Sequence, residues 1–207
     1  MEQENKQIFD FDLKMIADFF RELDRQGPGG VEQTLRALEF VPDRPGMRIA
    51  DIGCGTGGQT ITIARNRDCT ITAVDLLPEL LEEFRTRIKK AGLENRVTAI
   101  QGSMDALPFS PGEFDVIWAE GSIYNIGFER GLREWRQYLK PGGIIAVTEC
   151  SWLSGARLAS KFISDYFPDI DSPSGEVRIL EDRKSVGEGK RVDLGGRRII
   201  KKKKKEK

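Results

Sequence analysis

The fold is decided by the stretch Arg48-Ile-Ala-Asp51-Ile-Gly53-Cys-Gly55-Thr-Gly57-Gly58. It has the pattern of a buried strand, then an acidic residue, then a glycine-rich turn that leads into a helix. Glycines allow the backbone to turn sharply and let a ligand approach without a Cβ in the way. The start of the following helix presents free N–H groups and a partial positive charge. The pattern therefore predicts a site for a nucleotide-like cofactor.

The glycines fit two kinds of cofactor site, and Gly53 and Gly55 belong to both. Together with Gly58 they match the dinucleotide pattern G-x-G-x-x-G, and together with Gly57 they match the tighter pattern G-x-G-x-G. Asp51 favours the tighter pattern, because a carboxylate here would repel the pyrophosphate of a dinucleotide. S-adenosyl-L-methionine (SAM) instead carries a sulfonium and an ammonium group, which a carboxylate attracts. The stretch therefore resembles the first motif of class I SAM-dependent methyltransferases.

Three later segments agree with this family in their order and spacing. Ile71-Thr-Ala-Val74-Asp75 predicts a second strand that ends in an acid, where a carboxylate accepts both hydroxyls of a ribose. Residues 101–109 resemble the adenine-contacting loop. The family often has Asp where this chain has Ser103, so a contact to the adenine amino group is expected from Asp105 instead. Lys140-Pro-Gly-Gly143 resembles the turn into the fifth strand.

The resemblance covers about residues 8–170 and is closest to small-molecule methyltransferases similar to those of quinone biosynthesis. It implies a Rossmann-like, doubly wound and mostly parallel sheet, SAM as the cofactor and a small molecule as the methyl acceptor. The positions that match the family's cofactor-binding residues are Asp51, Gly53, Cys54, Gly55, Asp75, Leu76, Ser103, Met104, Asp105 and Glu120.

Glu120 and Tyr124 follow the predicted fourth strand, where the family places residues near the transferable methyl group. The resemblance implies catalytic roles for both: Glu120 would hold SAM or act as a base, and Tyr124 with Asn125 would orient the acceptor. The alternative is that Glu120 caps the next helix and that Tyr124 simply packs. Glu149-Cys-Ser-Trp152, beyond the fifth strand, is a weaker candidate for the acceptor site.

The chain contains no histidine. Serine–histidine and cysteine–histidine hydrolases are therefore excluded, and the commonest metal ligand is missing. Methyl transfer from SAM tolerates this, because the sulfonium is already a good leaving group and alignment of donor and acceptor supplies much of the acceleration. No metal site is expected.

The length of 207 residues suits one domain with a sizeable core. Cys54, Cys69 and Cys150 show neither paired nor metal-ligand spacing, which indicates a reducing cytoplasm. The polar, acidic N-terminus is unlike a signal peptide, and no apolar run approaches the roughly 20 residues that cross a bilayer. A cytoplasmic location without a membrane span is expected, and the oligomeric state is left open.

Charge divides the chain in two. Residues 182–207 hold 12 basic and 4 acidic residues, a net charge of +8, whereas the first 181 residues hold 21 basic and 29 acidic residues, a net charge of −8. The acidic body argues against a nucleic-acid substrate for the domain itself. The basic tail has three interpretations: a translated sequencing adapter running into poly-A, an arm for nucleic acid or an anionic membrane, or a short hairpin around Gly195-Gly196.

The adapter interpretation sets the expected domain organisation. Residues 1–40 form an N-terminal helical cap, residues 41–180 form a SAM-binding methyltransferase domain that is C-terminally incomplete, and residues 181–207 are a non-native basic tail. The sheet is then expected to be truncated after the fifth strand, without the two antiparallel strands that the family adds there. In similar enzymes the N-terminal helices lie over the cofactor cleft, so residues 26–30 are a candidate lid hinge or an ordinary turn.

Strands and helices alternate along the rest of the chain, which predicts a parallel sheet with helices on both faces. Ligands bind beyond the carboxyl ends of the strands in such folds. The predicted helices are residues 11–25, 31–40, 58–65, 78–91, 128–139 and 155–166, and the later strands are residues 97–101, 114–119 and one that starts at residue 144.

Three other functions stay open beside SAM-dependent transfer to a small molecule. A nucleic-acid methyltransferase would use the basic tail and bind RNA in a salt-sensitive way. A fragment that binds SAM without turnover would transfer no methyl group to any acceptor. An NAD-dependent oxidoreductase is a more distant alternative. The residues do not predict the acceptor or the atom that is methylated.

Overall fold

A computed structural model of the chain describes residues 13–149 and, further along, the backbone of three strands. The helices are α1 (Leu13–Phe20), α2 (Val31–Leu38), α3 (Gly58–Asn66), α4 (Pro78–Lys90) and α5 (Phe128–Trp135). The strands are β1 (Met47–Ile52), β2 (Cys69–Asp75), β3 (Val97–Gln101), β4 (Phe114–Glu120), β5 (Leu139–Glu149), β6 (Glu176–Glu181), β7 (Lys190–Asp193) and β8 (Arg198–Ile199). Short 3-10 turns follow β4 and α5, at Ile123–Asn125 and Arg136–Tyr138.

The eight strands form one sheet in the order β3-β2-β1-β4-β5-β6-β7-β8. The first five strands are parallel to their neighbours, and the last three run antiparallel. The chain leaves β1 toward β2 and β3 and then returns to place β4 on the other side of β1. In doubly wound sheets ligands bind at such a reversal, outside the carboxyl ends of the strands. The predicted Rossmann-like fold class is confirmed.

The core lies on both faces of the sheet, which is why the central strands are apolar almost throughout. Successive residues of β4 point to opposite faces, so Trp118 packs with Phe84 of α4 in one buried cluster and Ile117 packs with Trp135 of α5 in the other. The side chains of these four residues are at most 1% exposed. The two clusters fix the sheet between its helical layers and leave the strand ends for the site.

Helix α1 ends earlier than predicted, at Phe20 rather than at residue 25. The Gln26 side-chain amide donates to the carbonyls of Phe20 and Leu23, at 3.1 and 3.2 Å. These carbonyls would be acceptors for the next helical turn, so the side chain of Gln26 replaces that turn. Residues 21–28 run on without regular structure toward the sheet.

The predicted helix at 128–139 and the predicted start of the fifth strand also shift. α5 ends at Trp135 and gives way to a 3-10 turn, and β5 already begins at Leu139. Leu139 pairs with Phe114, whereas the next pair is Ile144 with Val116. The extra residues 140–143 are therefore an irregularity inside the strand pair rather than a turn before it.

The sheet continues past the fifth parallel strand, where the adapter interpretation of the tail predicted that it is truncated. β6 pairs antiparallel with β5, for example Leu180 with Ile145, and so covers a sheet edge that would otherwise stay open. β7 and β8 lie in the tail and pair antiparallel with each other, as the hairpin interpretation of the tail predicts. The non-native origin of the tail and the domain boundaries remain predictions. The predicted helix at 155–166, Cys150 and Trp152 lie outside the described residues.

Within the described ranges, no helix is both long and apolar enough to cross a membrane.

Gly57 tests how tightly the glycine-rich turn is packed against α4. Its φ is +83°, and an added Cβ would lie 1.9 Å from Cε2 of Phe84. We expect Gly57→Ala to lower the free energy of unfolding by about 2–5 kcal/mol, since backbone strain and overpacking add. Urea titration measures the change. Gly112→Ala is the matched control, because its φ is +68° with nothing within 4 Å, and it should cost only about 1–2 kcal/mol. Equal losses in the two variants would contradict the packing argument.

Candidate cofactor site

The turn after β1 needs glycine because other segments pack directly onto it. Gly53 and Gly55 have φ values of +75° and +55°, a region that favours glycine. A Cβ on Gly53 would lie 2.4 Å from Cβ of Ser122, and a Cβ on Gly55 would lie 2.0 Å from Oε1 of Gln26. The turn is thus held between the loop that follows β4 and the segment that follows α1.

All five backbone N–H groups of the turn, residues 53–57, donate to acceptors within the protein. Gly53 and Cys54 donate to the Val74 carbonyl, Gly55 donates to Asp75 Oδ2 at 2.8 Å, Thr56 donates to Gln26 Oε1 at 3.0 Å, and Gly57 donates to the Cys54 carbonyl. A dinucleotide site uses such N–H groups for a pyrophosphate. This turn keeps none of them for a phosphate, which disfavours the dinucleotide interpretation on grounds that the sequence did not reveal.

Asp75 ends β2 beside the turn, as predicted. Its carboxylate accepts from the backbone N–H of Gly55 at 2.8 Å and from that of Leu77 at 3.0 Å. Burial raises the pKa of Asp75, and these backbone hydrogen bonds act in the opposite direction. The neighbouring Leu76 side chain is exposed. Asp75 is therefore fixed in place, with lone pairs left for hydroxyl donors.

Asp51 is fully buried and is held by α3. Its carboxylate accepts from the Thr60 hydroxyl at 2.5 Å and from the Gln59 amide at 3.4 Å. Burial raises the pKa of Asp51 to about 7, and the negative charge of Glu120 adds to the increase. The predicted cofactor contact of Asp51 remains a prediction. The structure shows that these two hydrogen bonds connect β1 to the start of α3.

Glu120 is nearly fully buried at the carboxyl end of β4, inside a ring of donors. Its carboxylate accepts from the Thr34 hydroxyl at 2.8 Å, from Trp118 Nε1 at 2.8 Å and from the Arg25 guanidinium. The alternative that Glu120 caps the next helix is not supported, because neither the 3-10 turn at 123–125 nor α5 has a side-chain cap. Three different segments thus meet on one carboxylate.

The segment from Leu23 to Pro28, here called the strap, brings the N-terminal part of the chain to the site. The Thr56 hydroxyl donates to the Leu23 carbonyl at 2.8 Å, and the Gln26 amide donates to the Thr56 hydroxyl at 2.9 Å. The preceding residue, Arg25, donates a hydrogen bond to Glu120. The candidate hinge at residues 26–30 therefore begins with a residue that is bonded to the glycine-rich turn itself.

Comparison with known proteins assigns the family. Residues 49–143, from β1 into β5, match the family model described as a methyltransferase domain. This part of the chain is therefore similar to the methyltransferase domains of that family. SAM is the cofactor of the family.

Two curated relatives are similar over much of the chain. One is 27-O-demethylrifamycin SV methyltransferase of Amycolatopsis mediterranei, which is 31% identical over 75% of this chain and 52% of its own length. The other is a ubiquinone/menaquinone biosynthesis C-methyltransferase of Shewanella frigidimarina, which is 32% identical over 55% of this chain and 47% of its own length. The chain spans about half the length of these curated relatives.

Solved structures agree in fold. A Methanococcus maripaludis protein assigned as an S-adenosyl-L-methionine-dependent methyltransferase is 26% identical, with a TM-score of 0.57 over 71% of this chain and 67% of that chain. Phosphoethanolamine N-methyltransferase 2 of Haemonchus contortus, solved with S-adenosyl-L-methionine, is 25% identical, with a TM-score of 0.63 over 79% of this chain and 38% of that chain.

The remaining predicted residues of the methyltransferase domain lie around the same strand ends. The Cε methyl of Met104 is 3.6 Å from the point that a Cβ on Gly53 would occupy, and the Met104 carbonyl accepts from Trp135 Nε1 at 2.9 Å. Ser103 donates to Asp105 at 2.5 Å, and this bond lowers the pKa of Asp105. The turn thus bonds Asp75 directly, has Met104 beside Gly53 and is connected to Glu120 through the strap, whereas Ser103 and Asp105 contact each other.

Two predicted side chains differ in environment from the rest. Tyr124 is 43% exposed in the 3-10 turn after β4. Cys54 is buried within the turn, and burial raises the pKa of its thiol well above the ordinary value. Among residues 13–149 and the described strands, no group of His, Cys, Asp and Glu side chains could hold a metal ion.

Arg25, Gln26 and Thr34 are residues of the site that the sequence did not single out for binding. Arg25 and Gln26 stand before Gly27-Pro-Gly-Gly30, which looks like an ordinary helix end. The signal that was available is an Arg-Gln pair directly before a glycine-rich turn. It predicts where the chain turns, but not what the two side chains reach.

The buried carboxyl group of Asp51 makes stability depend on pH. Its pKa is 3.8 unfolded and about 7 folded, so the unfolded chain loses the proton first as pH rises between these values, and the contribution of Asp51 to stability falls. In Asp51→Asn this loss is absent. We expect the stability of the variant relative to the parent to rise by up to about 1.4 kcal/mol per pH unit in this window. Urea unfolding at a series of pH values measures it, and parallel curves would show that Asp51 does not titrate there.

Proposed function

We propose that the chain transfers a methyl group from SAM to a small-molecule acceptor. The observation that carries this proposal is the chemistry left available at the strand ends. The backbone N–H groups of the turn are used internally, and the ionisable groups at the carboxyl ends of β1, β2 and β4 are the carboxylates of Asp51, Asp75 and Glu120. Such a site favours a ligand that carries positive charge and hydroxyl donors over one that carries phosphates.

The residues present fit SAM at three points. Asp75 would accept the ribose hydroxyls, since its two described partners leave lone pairs free. Leu76, 53% exposed next to it, would lie against the adenine. Glu120 and the strap would hold the amino-acid end, because they close the same edge of the sheet above the turn. When bound, SAM supplies a methyl group that its sulfonium activates.

The chain's own contribution to the reaction is alignment and exclusion of water. The strap covers the turn through Gln26 and Thr56, and the acceptor would enter from the side of the exposed Tyr124. Glu120 is bound on both oxygens by Arg25, Thr34 and Trp118. It would therefore act as a fixed anion rather than as a mobile base. Holding donor and acceptor in line supplies most of the acceleration that such a displacement needs.

A small molecule is proposed as the acceptor because the relatives are named for such substrates and because the first 181 residues are acidic. No described contact favours a nucleic acid. The proposed site lies at the ends of β1, β2 and β4, and none of these strands belongs to the basic tail.

Asp75→Ala tests the cofactor site. We expect the affinity for S-adenosylhomocysteine, a stable product of the reaction, to fall by about 1.5–3 kcal/mol, since charge-assisted hydrogen bonds to the ribose are lost. Isothermal calorimetry measures the change. Asp68→Ala is the matched control, an exposed acid next to the opposite end of the same strand. Unchanged binding in a folded Asp75 variant would remove Asp75 from the site.

Tyr124→Phe tests the acceptor side. The variant keeps the ring and loses the hydroxyl, so turnover should fall about 10-fold or more if that group orients the acceptor. Its affinity for S-adenosylhomocysteine should not change. Turnover is measured as formation of S-adenosylhomocysteine from SAM in the presence of a panel of quinol, polyketide and sterol acceptors. Binding of S-adenosylhomocysteine without turnover on any acceptor would instead favour a cofactor-binding fragment.

A further inference from the structure

We propose that Arg25 of the strap binds the α-carboxylate of the cofactor, with Glu120 and Thr34 as the residues that position it. The proposal rests on the proposed function, because it concerns the amino-acid end of SAM in the same site. It assigns a ligand to a partly buried ion pair that joins the N-terminal segment to the end of β4.

The first argument is the supply of groups that could bind a carboxylate. The N–H groups of residues 53–57 are all used within the protein. Two described arginines on the neighbouring α4 have other partners: Arg85 donates to the Ala99 carbonyl, and Arg87 pairs with Asp24 and Glu83. Arg25 lies beside the end of the turn, with its Cβ 3.7 Å from the point that a Cβ on Gly58 would occupy.

The second argument is the capacity of the guanidinium group, which has five N–H donors. Nε–H of Arg25 is shared between the carbonyls of Gly27 and Pro28, one terminal nitrogen donates to Thr34, and the other donates to Glu120. Two N–H groups have no partner among the described residues. The side chain is 13% exposed, so part of it is accessible to a ligand. A carboxylate accepts two parallel bonds from such a group.

The third argument is complementarity to a zwitterion. The amino-acid end of SAM carries one carboxylate and one ammonium group close together. Arg25 and Glu120 present one positive and one negative group in contact, in a partly buried setting where charge–charge interactions are stronger than in water. Burying an ion pair costs desolvation and is weak evidence for a stabilising role. Binding a ligand of matching charges gives the pair a role beyond stability.

Two ligands that differ only in the amino-acid end test the proposal. S-adenosylhomocysteine has the α-carboxylate and the ammonium group, whereas 5′-methylthioadenosine has the same nucleoside and thioether without them. We expect Arg25→Met to weaken S-adenosylhomocysteine binding about 10–100-fold, the loss of charge-assisted hydrogen bonds. The affinity for 5′-methylthioadenosine should stay unchanged. Both are measured by calorimetry on the full chain.

Two further variants complete the series. Arg25→Lys keeps the charge but loses the planar fork, so its affinity for S-adenosylhomocysteine should lie between those of the parent and Arg25→Met. Arg21→Met is the matched control on the same N-terminal segment, where Arg21 is exposed beside Asp18. It should bind both ligands as the parent does.

The outcomes separate this inference from the proposed function. If the parent chain binds neither ligand, the proposed function fails and this inference fails with it. If the parent binds S-adenosylhomocysteine but Arg25→Met weakens both ligands equally, or neither, Arg25 acts only through the fold and the inference alone is overturned. Should circular dichroism show that Arg25→Met is unfolded, the carboxamide of S-adenosylhomocysteine replaces it: the parent should bind the amide about 10-fold more weakly than the acid, and equal binding overturns the inference.

Discussion

The turn between β1 and α3 keeps its five backbone N–H groups for the protein itself, and the surrounding arrangement follows from that constraint. A tight turn at the end of a buried strand has donors that must be satisfied. Here a carbonyl of β2, the carboxylate of Asp75 and the amide of Gln26 are among the acceptors. Satisfying the turn therefore draws β2 and the strap onto it. The glycines have no Cβ at the points where these segments arrive.

The second determinant is an excess of buried negative charge at the same edge of the sheet. Asp51 and Glu120 are both buried, and the described cation bonded to Glu120 is Arg25, which comes from outside the sheet. Asp51 has only neutral hydrogen-bond donors, from Thr60 and Gln59, and this is why burial raises its pKa to about 7. Two carboxylates at the same edge of the sheet thus have different environments. One is held as an ion pair and the other carries a proton at slightly acidic pH.

Local sequence patterns were sufficient for the parallel sheet, because each strand and helix carries its own period and its own end signals. The predicted bounds of 97–101 for β3 are those of the structure, and the turn at 53–57 was placed from its glycines. The site's other half was not predictable in this way. Arg25 and Glu120 are 95 residues apart, and Thr34 and Glu120 are 86 apart, so no local pattern links them. The early end of α1 has the same origin, because a side chain six residues further on takes the helix carbonyl.

The wide separation of these partners has a consequence for biosynthesis. The strap leaves the ribosome well before Thr56 and Glu120, so for much of translation it has nothing to bind. The packing of β1, β2 and β3 with α3 and α4 uses contacts closer in the chain and can form first, since short-range contacts cost less loop entropy. The edge of the sheet proposed to bind the cofactor is then completed late, when β4 has emerged and taken its place beside β1. A ribosome-bound chain that stops before Glu120 would carry a partly formed sheet with an unanchored strap.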